Sequence, residues 1–277
     1  MTIDNARICA SRGGERVYGA PPKLEAAPAR VPPLSLGATA SNVVELEPGL
    51  SAGSARPRAL DLYCGAGGAS MGLYRAGFDV SGIDIRRQPR YPFRFIQADA
   101  LMPPVRLDDF DLIWASPPCQ AFTLSNNRDR RGLHLDLVAK TRTMIAASRS
   151  MSIIENVPHA PIRADLVLDG TMFPDLKVIR RRHFELSFRA PFRLGFDAKQ
   201  HVSAFGWSTP LRGSLSSHSR AARRRKGLPE RDDLTVNQTA MGINWMTRDE
   251  LGESIPPAYA EFIGREAIRQ LRENASS

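Results

Sequence analysis

Residues Phe110–Gln120 read FDLIWASPPCQ, a short apolar run followed by a proline-containing loop. The apolar run 110–115 predicts a buried strand. Pro117 and Pro118 end that strand, because proline lacks an N–H and has a fixed φ. Cys119 then lies on a rigid loop at the carboxyl end of a strand, where ligands bind in an open α/β sheet. Taken alone, Cys119 is either a nucleophile or a buried, unreactive cysteine.

Strand and helix patterns alternate on both sides of this loop. Apolar runs predict strands at 58–63, 79–84, 93–99, 110–115, 151–154 and 177–188. Apolar residues at helical spacing predict helices at 69–76, 135–149 and 259–271. Thr247 and Glu250 have the spacing of a capping box, which predicts a further short helix. This alternation is typical of an α/β protein with a mostly parallel sheet.

A glycine-rich turn, Asp61–Gly68 (DLYCGAGG), joins the first strand to the first helix. Such a turn lets a ligand approach the backbone at a helix N-terminus, although it can also be only a tight turn. The G-x-G-x-x-G pattern fails, because Ser70 stands where the third glycine should be. Asp84 and Asp99 end the next two strands, where carboxylates either accept hydrogen bonds from a nucleoside or serve as turn residues.

A carboxyl group is expected near Cys119. Glu155 follows the strand 151–154, and adjacent parallel strands end at the same edge of a sheet, so Glu155 and Cys119 should lie over one pocket. Arg180 and Arg182 alternate on one face of the strand 177–188. By itself, this pattern can be only a solvated basic edge strand.

The composition indicates a basic globular protein. The net charge is +9, which suits a polyanionic partner, and nucleic acid is the first candidate. The three cysteines, Cys9, Cys64 and Cys119, lack the spacing of a zinc site, and they predict no disulfide framework. The sequence contains no run of about 18 apolar residues, so we expect no membrane span. The first residues do not resemble a secretory signal, so we expect a cytoplasmic protein. Because the cysteines lack the spacing of a zinc site, we also expect no bound metal.

Five short motifs occur in one order along the chain. They are Asp61–Gly68, Pro117–Gln120, Glu155–Val157, Arg180–Arg182 and Ile255–Pro257. Together they resemble the cytosine-5 DNA methyltransferase family, over roughly residues 58–271. The resemblance implies an α/β fold with a Rossmann-like sheet that binds S-adenosylmethionine, and a small inserted target-recognition region. It also implies double-stranded DNA as the substrate. We expect a monomer, and a cognate restriction enzyme remains an open question.

The resemblance assigns roles by position. Cys119 matches the nucleophile, Glu155 the acid, and Arg180 and Arg182 the two arginines of the family's Gln-x-Arg-x-Arg motif. The implied cofactor-binding residues are Tyr63, Gly65 and Gly67 on the methionine side, Asp84 at the ribose, Asp99 at the adenine, and Pro117. The candidate substrate-binding residues are Gln120, Asn156, Arg223, Arg224 and Arg225. Asn156 is also expected to orient the proline loop.

Four regions follow from this interpretation. They are a disordered tail at 1–57, a catalytic and cofactor-binding domain at 58–189, a basic target-recognition insert at 190–237, and a returning segment at 238–277. The tail is rich in proline and alanine and has little apolar surface to bury. Within the insert, Arg220–Lys226 carries five basic residues, which suit phosphate contacts or form only a solvated run.

The sequence departs from the family pattern at two places. Val178 stands where the glutamine is expected, and Glu253 and Ser254 replace the asparagine before the final motif. Three alternatives stay open: an RNA cytosine-5 methyltransferase, a catalytically silent DNA-binding homologue, and an unrelated nucleotide-dependent oxidoreductase. The presence of Cys119 and Glu155 argues against the silent homologue, and Ser70 argues against the oxidoreductase.

Overall fold

The structure is a computed structural model that describes residues 56–119, 137–191 and 234–276. Most of the predicted tail and insert lies outside these ranges. Among the candidate site residues, Gln120, Arg223, Arg224 and Arg225 also lie outside them.

Seven strands of the described chain form one mixed sheet. They are β1 (Arg58–Leu62), β2 (Asp79–Asp84), β3 (Arg94–Gln97), β4 (Leu112–Ala115), β5 (Met151–Asn156), β6 (Leu166–Leu168) and β7 (Arg182–Leu186). Their spatial order is β3-β2-β1-β4-β5-β7-β6. The first five are parallel, and β7 runs antiparallel to β5 and β6. The predicted Rossmann-like class is confirmed.

The direction of strand progression reverses at β1. The chain moves outward from β1 through β2 to β3, and then returns to place β4 on the other side of β1. Leu62 at the end of β1 pairs with Ala115 at the end of β4. The glycine-rich turn and the proline loop therefore leave the sheet side by side. This is the crevice in which open α/β sheets bind ligands.

Five helices and two short 3-10 turns complete the described part. The helices are α1 (Gly68–Ala76), α2 (Val138–Ala146), α3 (Leu234–Met241), α4 (Arg248–Glu253) and α5 (Pro257–Ala275), and the turns are Leu107–Asp109 and Gly170–Met172. Alternate strand residues point to opposite faces of the sheet, so two apolar clusters form. Trp114 and Phe184 pack with α1 and α5 on one face, and Leu60 and Ile113 pack with α2 on the other.

Helices α1 and α5 approach closely because glycines lie between them. A Cβ atom at Gly72 would lie 2.1 Å from the carbonyl oxygen of Pro257, and one at Gly264 would lie 2.9 Å from the Cβ of Ala76. The absence of these side chains lets the two helix backbones approach. The close packing carries the C-terminal segment to the glycine-rich turn, where the Trp245 indole donates a hydrogen bond to the Ala66 carbonyl at 2.8 Å.

Most local predictions agree with the structure. Strand 79–84 has the predicted bounds, Gly77 ends α1 at a φ of 118°, and the Thr247–Glu250 capping box is present. Strand β5 runs on to Asn156, so Glu155 lies within it rather than after it, because β7 extends the ladder beside it.

Other elements differ from the predictions. Strand β7 begins at Arg182 and not at residue 177. Arg180 lies outside the strand, since its guanidinium donates to the carbonyl of Gly252 at 2.6 Å. Helix α2 spans 138–146, which is shorter than the predicted 135–149. Strand β6 and helix α3 are not predicted, and α3 runs across the expected boundary between residues 237 and 238.

Candidate functional site

A cavity of about 470 Å³ opens at the carboxyl ends of the parallel strands. Ligand pockets for small molecules are commonly ~300–1,000 Å³. The wall includes most of the candidate residues: Tyr63, Gly65, Asp84, Asp99, Pro117, Cys119, Glu155, Asn156 and Arg182. Gly67 and Arg180 do not line the cavity. The structure thus brings the candidate cofactor-binding and catalytic residues together around one space.

The glycine-rich turn is held against β2 by Asp84. One carboxylate oxygen accepts the backbone N–H of Gly65 at 3.0 Å, and the other accepts the N–H of Arg86 at 2.8 Å. Gly65 and Gly67 have φ values of 49° and 87°, in the region that favours glycine. A carboxylate has about four lone-pair sites. Asp84 therefore has a structural role here and can still accept hydrogen bonds from a ligand.

Ser70 belongs to a buried polar network that the sequence did not reveal. Its hydroxyl donates to Asp61 at 2.5 Å and lies 2.7 Å from the hydroxyl of Tyr91. Gly82 makes room for this tyrosine, because a Cβ there would lie 2.2 Å from the Tyr91 hydroxyl oxygen. In the sequence, the available clue to this network was the presence of Ser70 where the dinucleotide pattern has a glycine. The serine that breaks the dinucleotide pattern supplies a hydrogen bond that glycine cannot make.

Asp61 places a carboxyl group in the cavity wall. Its side chain is buried, and its Oδ1 atom has no hydrogen-bond partner within the described part of the chain. Burial raises the pKa of Asp61 to about 7, and the Ser70 hydrogen bonds offset only part of this rise. Asp61 therefore brings a buried carboxyl group to the wall beside the cavity.

Tyr63 is fixed from two sides. Its φ of 60° makes it the single non-glycine residue with positive φ in the described ranges, and its hydroxyl lies 2.9 Å from the Thr141 hydroxyl of α2. Burial raises the pKa of Tyr63, and the Asp99 carboxylate raises it further. Tyr63 and Asp99 both line the cavity.

Glu155 and Arg182 form an ion pair at the cavity wall. The Arg182 Nε atom lies 2.9 Å from Glu155 Oε1, and both side chains are mostly buried. Asn156 donates to the Pro117 carbonyl at 3.0 Å and accepts the N–H of Val157 at 2.9 Å. The amide therefore ties the strand end to the proline loop, which is the orienting role expected for Asn156. Cys119 lines the same cavity, directly after this loop.

Arg180 lies behind the cavity wall. Its guanidinium donates to the Gly252 carbonyl at 2.6 Å, and its own carbonyl accepts the Tyr259 hydroxyl at 2.9 Å. Burial lowers the pKa of Arg180 to about 9, and the nearby Arg182 charge contributes. Arg180 thus holds α4 and α5 against β7, and we expect it to act by positioning that segment.

The C-terminal segment forms the remaining wall, with Glu250, Gly252, Glu253, Ser254 and Ile255. Two ion pairs join this wall to the connection after β2. Arg86 lies 3.0 Å from Glu253, and Arg90 lies 3.1 Å from Glu250. Exposed pairs of this kind are commonly worth about 0–1 kcal/mol each. Glu253, one of the departures from the family pattern, therefore has a partner at the rim of the cavity.

The described residues lack two features. No group of three or more His, Cys, Asp or Glu side chains in the described ranges is placed to hold a metal ion. None of the described helices is long and apolar enough to cross a membrane.

The chain is similar to two curated methyltransferases from Herpetosiphon aurantiacus, and no family model matches it. Type II methyltransferase M.HgiDI is 30% identical over 119 residues, which cover 37% of this chain and 38% of that protein. Type II methyltransferase M.HgiGI is 29% identical over 119 residues, which cover 37% of this chain and 92% of that protein. The match therefore spans well under half of the first relative.

The chain also resembles a solved structure. The S. pombe Dnmt2 methyltransferase is 16% identical, with a TM-score of 0.45, over 78% of this chain and 99% of that one. The relatives support a methyltransferase assignment for the motif set. The described sheet has a Rossmann-like strand order, and the two type II methyltransferases imply S-adenosylmethionine as the cofactor.

The residues around the cavity fit S-adenosylmethionine. This cofactor is a nucleoside that carries a sulfonium and an ammonium cation. Asp61, Asp84 and Asp99 bring three carboxyl groups to the wall, and Asp61 Oδ1 has no partner among the described residues. The backbone at Gly65 can be approached closely, since nothing lies within 4 Å of the place where a Cβ would stand. The carboxyl groups of the wall and the open backbone at Gly65 therefore favour this ligand.

Proposed function

We propose that this protein is a DNA (cytosine-5-)-methyltransferase. The observation that carries the proposal is that Cys119 and the Glu155–Arg182 pair line the same cavity as the glycine-rich turn. A thiol, a carboxyl group and a cofactor pocket are the groups that methylation of C5 of cytosine requires. S-adenosylmethionine, when bound, supplies an electrophilic methyl group.

The chemistry assigns a task to each side chain. The Cys119 thiolate forms a bond to C6 of cytosine, while Glu155 donates a hydrogen bond or a proton at N3. This makes C5 nucleophilic, so C5 accepts the methyl group. Loss of the C5 proton to solvent is accompanied by cleavage of the S–C6 bond, which releases Cys119 as the thiolate, and the N3 proton returns to Glu155. Since Arg182 contacts Glu155 Oε1 at 2.9 Å, it fixes the orientation of the carboxyl group.

The substrate proposal rests on charge and on the relatives. A net charge of +9 suits a polyanion, and both relatives are type II methyltransferases. A cytosine inside a duplex must leave the stack to reach a cavity at a sheet edge, which costs a few kcal/mol. We assign phosphate contacts to the 190–237 insert, with Arg223, Arg224 and Arg225. We also propose that the protein acts as a cytoplasmic monomer.

The test is transfer of labelled methyl from S-adenosylmethionine to mixed duplex DNA, with RNA in a parallel reaction. We expect label on C5 of cytosine in DNA, and its loss in Cys119→Ala. Cys9→Ala is the matched control, because it removes a thiol far along the chain from the proposed catalytic domain. Label on RNA alone would show that RNA is the substrate. Label on neither nucleic acid would overturn the proposal.

The covalent step has a separate test. Duplex DNA with fluorine at C5 of the target cytosine lacks the proton whose loss releases Cys119. We expect a complex of protein and DNA that survives denaturation and whose attachment maps to Cys119. Methyl transfer without such a complex would contradict the covalent route and leave the methyltransferase activity standing.

A further inference from the structure

The Tyr63 ring forms part of the cavity wall, and the orientation of the ring depends on a residue outside the five motifs. Tyr63 stands at the end of β1 with a left-handed backbone, which side chains other than glycine rarely adopt. Its hydroxyl has one hydrogen-bond contact within the described chain, to the Thr141 hydroxyl at 2.9 Å. The direction of the ring is therefore set by tertiary contacts.

Thr141 lies on the face of α2 that borders both the cavity and the apolar core. Leu137, four residues earlier, lines the cavity. Ile145, four residues later, is buried in the apolar cluster beneath α2. Residues four apart lie on one face of a helix. Thr141 itself has no exposed surface, so its hydroxyl faces Tyr63 from a fully packed position.

Helix α2 is held firmly to the far side of the sheet. Two nitrogen atoms of Arg142 donate to the two carboxylate oxygens of Glu185 on β7, each at 2.8 Å. Arg142 also donates to the carbonyl of Pro161 at 2.8 Å. A bidentate pair of this kind fixes geometry as well as charge. Thr141 directly precedes Arg142 in the chain. Its position is therefore fixed, and its hydroxyl can hold the Tyr63 ring in place.

We propose that Thr141 is a positioning residue for cofactor binding, whose hydroxyl holds the Tyr63 ring in the orientation that borders bound S-adenosylmethionine. The inference rests on the cofactor assignment and does not depend on whether the substrate is DNA. A side chain that is ordered before binding does not lose rotamer freedom when the ligand arrives. Loss of this single hydrogen bond should raise the cofactor Kd roughly 3- to 10-fold.

The experiment measures S-adenosylmethionine binding to the full chain by calorimetry. Thr141→Val removes the hydroxyl at nearly constant volume, and we expect its Kd to rise while kcat at saturating cofactor stays within about twofold. Thr141→Ser should restore the wild-type Kd. The control is Thr143→Val, because Thr143 lies on the exposed face of the same helix and bonds only the carbonyl of Ala139.

Tyr63→Phe tests the same hydrogen bond from the other side and serves if Thr141→Val does not fold. In that variant the Thr141 hydroxyl can turn to the helix carbonyl four residues earlier. The double variant should bind no more weakly than the weaker single variant, since both remove one interaction. An unchanged Kd in either single variant, or additive losses in the double variant, would overturn the proposal. Absence of binding in the wild type would instead refute the cofactor assignment.

Discussion

Arg182 and Glu155 are joined by a 2.9 Å contact, although they lie on neighbouring antiparallel strands and are far apart in sequence. Only 15% of the Arg182 side chain and 7% of the Glu155 side chain are exposed. Breaking a buried pair by removing one partner leaves an uncompensated charge, which commonly costs about 3–5 kcal/mol. The pair therefore matters for the fold and for the proposed reaction.

Arg182→Met should lower methyl transfer by roughly 100-fold or more, because Glu155 loses the group that orients it. The free energy of unfolding should fall by about 3 kcal/mol. The matched control is Arg181→Met, since the Arg181 side chain is 54% exposed and lies 3.8 Å from Asp169, not from Glu155. Labelled methyl transfer and urea unfolding measure the two effects. Equal losses in the two variants would contradict the assignment.

Gly68→Ala should disrupt the contact between the glycine-rich turn and the C-terminal segment. A Cβ at Gly68 would lie 2.0 Å from the Ser254 hydroxyl oxygen and 2.5 Å from the Ile255 carbonyl oxygen. We expect a loss of about 1–3 kcal/mol in stability and more than tenfold in cofactor affinity. Gly252→Ala is the control for the stability effect, because nothing lies within 4 Å of its Cβ position. Denaturation and cofactor titration of both variants provide the comparison.

The buried carboxyl of Asp61 should make stability depend on pH. Burial raises its pKa from 3.8 to about 7, so between these values the folded state keeps a proton that the unfolded state has lost. The contribution of Asp61 to the free energy of unfolding is therefore full below pH 3.8, falls as the pH rises, and levels off above pH 7. Asp61→Asn cannot ionise and lacks this contribution to the pH dependence.

Urea unfolding at a series of pH values tests this prediction. The stability of Asp61→Asn relative to the wild type should rise between about pH 4 and 7 and then stay constant. Asp79→Asn is the control, since Asp79 is exposed at the start of β2. A flat difference across this range would show that Asp61 ionises as an ordinary surface carboxyl group does.

The ion pair between Arg86 and Glu253 should affect how tightly the cofactor is held. Arg86→Glu brings two acidic side chains together at the rim of the cavity, and Glu253→Arg brings two basic ones together. Each should weaken S-adenosylmethionine binding about 2- to 5-fold at low salt. The double exchange should restore binding, and high salt should reduce all differences. Failure of the double exchange to restore binding would show that the pair itself is not responsible.

The elements near the site were predictable where a local pattern decides the structure. The apolar runs of β1, β2 and β4 and the Gly77 cap depend on neighbours in sequence, and they appear where expected. Cys119, Glu155 and Asp84 were also placed correctly around one cavity, because parallel strands end at the same edge of a sheet.

The rest depends on contacts between distant parts of the chain. Arg180 leaves the predicted strand because its partner is the Gly252 carbonyl, 72 residues away. Strand β6 has three residues, too few for a period to show. The role of Ser70 follows from the burial of Asp61, and the Thr141 hydrogen bond depends on how α2 docks against β1. No local pattern contains this information.

The hydrogen bond from Trp245 to Ala66 spans 179 positions of the chain. A ribosome therefore releases the glycine-rich turn long before it releases the segment that closes the turn. Throughout most of synthesis, the nascent chain carries an incomplete nucleoside pocket. A cofactor that binds only the completed pocket can stabilise the protein only in the last stage of its folding. Cellular supply of the methyl donor should then influence how much finished protein accumulates, and not how its first strands assemble.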